Sequence, residues 1–188
     1  MEQNLETTFA LLERTPWALD ALLRGLPDAW TMKNEGGTTF TAHDVIGHLI
    51  HGERADWIER AKMILEFGEA KTFERFDRFA HVKESEGKLI AELLDEFARL
   101  RAANLAEVRR WKLGKSELEK RGRHPGFGPV TLSELLATWA AHDMTHLHQI
   151  SRILAHQYRE LVGPWSLYLG VLQCGGHSAA PVEGSTKT

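Results

Sequence analysis

The sequence predicts an all-α protein, a four-helix bundle. Three observations carry this expectation. Apolar residues recur at steps of three and four over four long segments, which is the period of one helix face. No segment keeps the period of two that a half-buried strand shows. The stretches between the four segments are rich in Pro, Gly and charge, and these end helices rather than continue them.

In the first segment Leu5, Phe9, Leu12, Leu19, Leu22 and Leu23 predict a helix that ends near Leu26. Pro16 interrupts the pattern. Thr15 and Pro16 are either an N-cap with its first helical position or a kink in one long helix. Pro27 to Thr39 reads as a loop. The second helix starts near Thr41, which has the spacing of a capping pair with Asp44, and runs to about Glu66. Its apolar side holds Val45, Ile46, Leu49, Ile50, Trp57 and Ile64. Gly68 to Glu84 is a charged connection carrying Phe73, Phe76 and Phe79, with room for a short helix. The third long helix extends from about Ser85 to Trp111 along Ile90, Leu93, Leu94, Phe97, Leu100, Asn104, Val108 and Trp111. Ser116 and Glu119 have capping-box spacing over a short turn, and Arg121 to Val130 reads as a turn-rich loop.

The fourth helix, Leu132 to Leu154, opens on the T-x-x-E box of Thr131 and Glu134. Leu135, Trp139, His142, His146, Ile150 and Ile153 share one narrow arc, while Glu134, Met144, His148 and Arg152 fall opposite. Two imidazoles at i, i+4 in an apolar stripe point the same way and can share one metal ion. Asp143 stands where an H-E-x-x-H protease has its general base, so that chemistry lacks its Glu. Pro164 to Gln173 is expected to form a short last helix. Residues 1–174 are expected to be one bundle domain and 175–188 a disordered tail.

The bulk properties exclude several classes. A chain of 188 residues, 43% hydrophobic and 26% charged, is soluble and globular in composition. A net charge of -3 and no basic stripe argue against nucleic-acid binding. The single Cys174 rules out an intrachain disulfide framework or a cysteine zinc site. No apolar run approaches membrane-spanning length, and Met1 to Arg14 does not look like a signal peptide, so a cytoplasmic protein is expected. Among the ten histidines, spacing leaves both His48 and His51 open as further site residues on the second helix. His124 could lie near a pocket mouth, and His43 is near a helix start. His148 is expected at the surface, and His81, His156 and His177 in solvent. Trp139 reads as core, and Arg121, Arg123 and Arg152 as surface charge or, alternatively, as anion-binding groups. Cys174 lies beyond the last helix and is not expected to be a nucleophile.

Four runs carry a family resemblance: Thr15-Pro16 with GLPDAW at Gly25 to Trp30, DVIGHLIHGERADWI at Asp44 to Ile58, RGRHPGFGPVTLSELLATWAAHDMTHLHQI at Arg121 to Ile150, and VGPW at Val162 to Trp165. In these the chain resembles the DinB-like (YfiT-like) metal-binding helical bundle proteins. The resemblance implies a three-histidine site of His48, followed by Leu49, with His142 and His146. It implies a divalent transition metal, zinc or nickel before iron, with positions left open for other ligands. It implies a small-molecule substrate and a homodimer, and Trp57, Trp111 and Trp165 exceed the obvious needs of one core. Thiol-dependent transfer to a small electrophile, with a low-molecular-weight thiol as cosubstrate, is the expected activity. Metal-dependent hydrolysis is the alternative, and non-catalytic binding of a metal or small molecule is the third. No catalytic or substrate-binding residue is assigned.

Overall fold

The computed structural model describes residues 4–174. The expected tail, and with it His177, lies outside them. Four long helices make the bundle: α1 (Leu5–Leu23), α3 (Ala42–Ala55), α6 (Ile90–Arg110) and α8 (Leu132–His156). Shorter helices lie between them, α2 (Asp28–Thr31), α4 (Trp57–Phe67), α5 (Ala80–Glu84) and α7 (Lys115–Leu118), and α9 (Gly170–Gln173) follows the last. Helix α1 packs on α6 and α8, and α3 also packs on α6 and α8. Consecutive long helices α1 and α3 are therefore diagonal to each other, as are α6 and α8. In a simple up-down bundle the second and fourth helices would be diagonal. Here they are neighbours, which lets side chains of α3 meet those of α8.

The packing divides into two apolar clusters. One gathers Phe9, Leu12, Trp57, Leu105, Leu132, Leu136 and Trp139. The other gathers Leu19, Leu23, Val45, Ile46, Leu49, Leu93, Phe97, Ile150 and Ile153. Between them, at the level of Arg101 on α6 and Asp143 on α8, lies a buried polar layer. The Arg101 guanidinium donates from Nε and Nη2 to Glu53 Oε1 (3.0 and 2.8 Å) and from Nη1 and Nη2 to Asp143 (2.5 and 2.9 Å). Its remaining N–H goes from Nη1 to the Leu12 carbonyl at 2.9 Å. Glu53 also accepts from Trp139 Nε1 (3.0 Å) and Asn104 Nδ2 (2.9 Å).

The Leu12 bond resolves the alternatives at Pro16. Helix α1 is continuous, capped by the Asn4 side chain, with Pro16 inside it. Proline has no N–H for the carbonyl four residues back. That carbonyl belongs to Leu12, and Arg101 takes the vacant place.

Several boundaries differ from the sequence expectations. The second predicted helix divides at Asp56 into α3 and α4, so that Trp57 turns into the core beside Gly52, where a Cβ would stand 3.2 Å from its indole nitrogen. The third begins at Ile90 rather than Ser85 because Gly87 takes φ +74°, outside the helical range. The short turn near Ser116 is closed by Glu117, whose carboxylate accepts from the Gly114 N–H at 2.9 Å, and not by Ser116 with Glu119. The last segment is a 3₁₀ turn, Gly163–Tyr168, followed by α9. The stretch read as a turn-rich loop is an antiparallel hairpin, β1 (Arg121–His124) paired with β2 (Gly128–Thr131). Its charged, Gly- and Pro-containing strands are too short to show a period. Gly122 is required there, since a Cβ would lie 2.6 Å from Ile64 and 2.8 Å from Phe73.

Removing Arg101 leaves two carboxylates buried without their cation. The variant Arg101→Leu is expected to lose about 3–5 kcal/mol of stability, whereas Arg109→Ala, at an exposed pair with Glu13, loses less than about 1 kcal/mol. Urea unfolding of both variants at neutral pH measures this, and equal small losses would remove the polar layer from its structural role.

Candidate metal centre

Helix α3 begins at the Thr41–Asp44 capping box, and α8 at the Thr131–Glu134 box, as the sequence predicts. Those starts fix the phase of both helices, and the phase turns His48 toward His142 and His146. The Nε2 atom of His142 lies 3.3 Å from that of His48 and 3.0 Å from that of His146. One ligand atom of each ring lies within 4.8 Å of the others. An ion about 2.0–2.1 Å from each nitrogen holds neighbouring nitrogens about 2.9 Å apart at right angles and about 3.4 Å apart at the tetrahedral angle. The observed separations fit such an ion.

At these distances two neighbouring Nε2 atoms can share a proton, whereas three lone pairs facing one another repel, so the tautomers and packing that set the rings matter. His146 Nδ1–H donates to Gln149 Oε1 at 2.8 Å, which leaves the lone pair on Nε2. The Nδ1 atoms of His48 and His142 are buried without a hydrogen-bond partner, so packing orients those two rings. Phe76 stands edge-on to His48 at 5.5 Å between centroids, and Trp57 meets His142 at 5.1 Å. Behind them, Asp143 is tied to Arg101 and fixes α8 between its two histidines.

Burial pushes the His48 imidazole down to about 3, with the neighbouring His146, His81 and Arg78 charges adding to the effect. Burial also holds His142 well below the ordinary range and lowers His146. All three are neutral at physiological pH, the form that binds metal.

The other expected positions separate clearly. His51 lies one turn beyond His48, buried against Phe76, with Nδ1 3.1 Å from Glu84 Oε1. His81, expected in solvent, is fully buried beside His48 (5.7 Å between ring centroids) and Phe40, because the short helix α5 presses it onto α3 at Gly47. Arg152, expected at the surface, is buried and paired with Glu35 at 2.5 Å. His43 Nε2–H reaches the Lys88 carbonyl at 2.9 Å, and His124 accepts two backbone N–H groups of its own hairpin turn. Trp139 is core, as predicted. So is Trp57, while Trp111 is half-buried, so of the three tryptophans set aside for a dimer face only Trp165 is exposed. Cys174 is exposed at the end of α9.

Glu53, Arg101 and Gln149 went unnoticed in the sequence. A signal existed for Arg101: it stands four residues after Phe97 and four before Leu105, inside the apolar seam of α6. A cavity of about 630 Å³ between α1 and α6, lined by Pro16, Trp17, Arg101 and Leu105 among others, touches the back of the polar layer. Among the described residues, no helix is long and apolar enough to cross a membrane.

The family model of the DinB superfamily matches residues 11–150. Among solved structures, the chain is similar to one described as "YfiT from Bacillus subtilis is a probable metal-dependent hydrolase with an unusual four-helix bundle topology". The TM-score is 0.69 at 20% identity, over 83% of this chain and 86% of that one. No curated protein matches the chain.

The depressed imidazoles give the metal-free protein a defined pH response. Their folded pKa values lie below the unfolded value of about 6.5, so the unfolded chain binds more protons as pH falls. Their contribution to stability is complete above about pH 6.5 and is lost progressively toward about 3 for His48. Each such histidine adds up to about 1.4 kcal/mol per pH unit to the slope. Urea unfolding of metal-free protein at pH 7 and pH 5 is expected to show the loss, with a shallower slope for His48→Leu. Equal stability at both pH values would contradict the assignment.

Proposed function

Because the chain belongs to the DinB superfamily, we propose that it is a metal-dependent enzyme, with the ion held by His48, His142 and His146, acting hydrolytically on a small molecule. The observation that carries this reading is the convergence of three neutral Nε2 atoms from two adjacent helices in a buried site. Three imidazoles leave coordination positions free, as catalytic sites do. A divalent ion bound there, zinc or nickel before iron, supplies Lewis acidity and acidifies a coordinated water or thiol. The remaining work belongs to the chain. Gln149 holds the His146 tautomer, the Arg101–Asp143 pair holds the helix that carries two ligands, and Phe76 and Trp57 keep the rings in place.

Hydrolysis is placed first because YfiT, whose fold the chain shares, is described as a probable metal-dependent hydrolase. Thiol-dependent transfer is the second reading. It is favoured by the positive charge of Arg78, which is felt at both His48 and His146 and suits an anionic thiol cosubstrate. Cys174, exposed and outside the cluster, does not serve as a protein nucleophile in either reading.

Purified protein is expected to bind about one zinc or nickel ion per chain, and His146→Ala to lose most of that metal. The zinc-loaded protein is expected to cleave activated esters, and the rate to vanish in His142→Ala. Equal metal content in wild type and His146→Ala, read by elemental analysis, would sink the site. Thiol consumption with an electrophile, in the absence of ester cleavage, would move the reading to transfer.

The same reading has the chain act as a homodimer. Leu161, Trp165, Leu167 and Tyr168 support it, since all four expose apolar side chains on one segment. Sedimentation at micromolar concentration is expected to give twice the chain mass, and a monomer mass would refute it.

A further inference from the structure

His51 has a neighbour set that metal binding does not explain. It follows His48 by one turn of α3, so the two rings leave the same face of the helix. The ring of Phe76 touches both, at 5.5 Å from His48 and 4.9 Å from His51 between centroids. His51 is nevertheless outside the convergent trio. Its Nδ1 lies 3.1 Å from Glu84 Oε1, and the second oxygen of Glu84 accepts from Arg54 Nη1 at 3.0 Å. Arg54 is itself anchored by Glu96. A carboxylate fixed in this way keeps the proton on Nδ1 and the lone pair on Nε2. Among the described residues that Nε2 has no hydrogen-bond partner, and the side chain keeps 11% of its surface in contact with solvent. An imidazole with one nitrogen tied to a carboxylate and the other open, one helical turn from a residue of the candidate metal centre and sharing the Phe76 contact with it, has the layout of a general base.

We propose that His51 is a catalytic residue, the general base of this centre, and that Glu84 is its positioning residue. The proposal rests on the hydrolytic reading above. In the step it assigns, the O–H bond of water breaks and the proton passes to His51 Nε2. The electron pair released forms the bond from oxygen to the substrate carbonyl carbon as the carbonyl π pair moves onto the carbonyl oxygen. When the adduct collapses, that pair re-forms the carbonyl, the bond to the leaving group breaks with its electrons on that group, and the group takes the proton from Nε2–H. The Nδ1 proton stays on the ring, donated to Glu84, throughout. The titratable and charged groups around the ring are Glu84 and His81 from α5, and His48, Arg54 and Asp56 from the α3 side.

The test uses the zinc-loaded full chain and p-nitrophenyl acetate, with the variants His51→Gln and Glu84→Gln. Zinc affinity, measured by competition with a chromophoric chelator, is expected to change less than about twofold in His51→Gln, which separates the base from the ligands and checks folding. Its kcat/KM is expected to fall about 100-fold or more. The solvent deuterium isotope effect is expected to drop toward unity, and added imidazole to restore part of the rate. Glu84→Gln is expected to lose less and to keep its isotope effect. A second measurement does not need turnover. Nitrogen-15 NMR of the ring is expected to show Nδ1 protonated and Nε2 unprotonated, with the Nε2 resonance moving on zinc addition in wild type but not in His146→Ala. Retained hydrolysis in His51→Gln with an unchanged isotope effect overturns the proposal. So does an Nε2 that is protonated or indifferent to zinc. A zinc-responsive, unprotonated Nε2 in a protein that cleaves no ester keeps His51 open beside the ion and overturns the hydrolytic reading, and with it the step assigned here.

Discussion

The guanidinium of Arg101 holds the bundle in register. Its five N–H donors reach three helices besides its own: α1 through the Leu12 carbonyl, α3 through Glu53 and α8 through Asp143. Burying a cation with two carboxylates gains little over a well-packed apolar layer of the same volume, because desolvation offsets most of the attraction. What the layer supplies is direction. Apolar surfaces can slide along one another by a helical turn at small cost, while five oriented donors and their acceptors cannot. The imidazole cluster needs this precision, since a shift of one ångström between α3 and α8 would part His48 Nε2 from the His142 Nε2 that now stands 3.3 Å away.

Connectivity contributes as much as side chains. With α3 beside α8, ligands from the second and fourth long helices meet across one interface. The i, i+4 pair on α8 supplies two nitrogens at a spacing that helical geometry sets unaided. The third nitrogen depends on the rest of the fold. The short helix α5 and the stretch before it close over that interface, bringing Phe76, His81 and Glu84 to residues far from them in sequence. The loop side of the centre is therefore built from the segment with the least regular pattern in the chain.

Sequence and structure agree where local rules decide. The capping boxes at Thr41 and Thr131, the apolar face of α3 and the shared arc of His142 and His146 all follow from spacing along a single helix. His48 needed the family resemblance, because period alone gave His51 an equal claim. The hairpin was invisible since its order comes from backbone pairing and from a glycine fitted against Ile64 and Phe73, neither of which leaves a periodic trace. His81 and Arg152 were misjudged for one reason. Each sits in a polar local context and is buried by a distant element, His81 against α3 and Arg152 under Glu35. The polar layer was legible in principle, as charges interrupting apolar seams, but its pairing was not.

Pro16 carries a consequence for how this chain can change. A proline inside a helix is ordinarily a local defect, and here the defect is the socket for another helix's side chain. Restoring an N–H at position 16 would return the Leu12 carbonyl to its own helix and leave one Arg101 proton competing for it. Replacing Arg101 would instead strand the carbonyl that Pro16 has freed. The two positions, 85 residues apart in the chain, are thus conditional on each other. A substitution at either one is judged against the residue at the other, and the pair can be exchanged together more easily than one at a time.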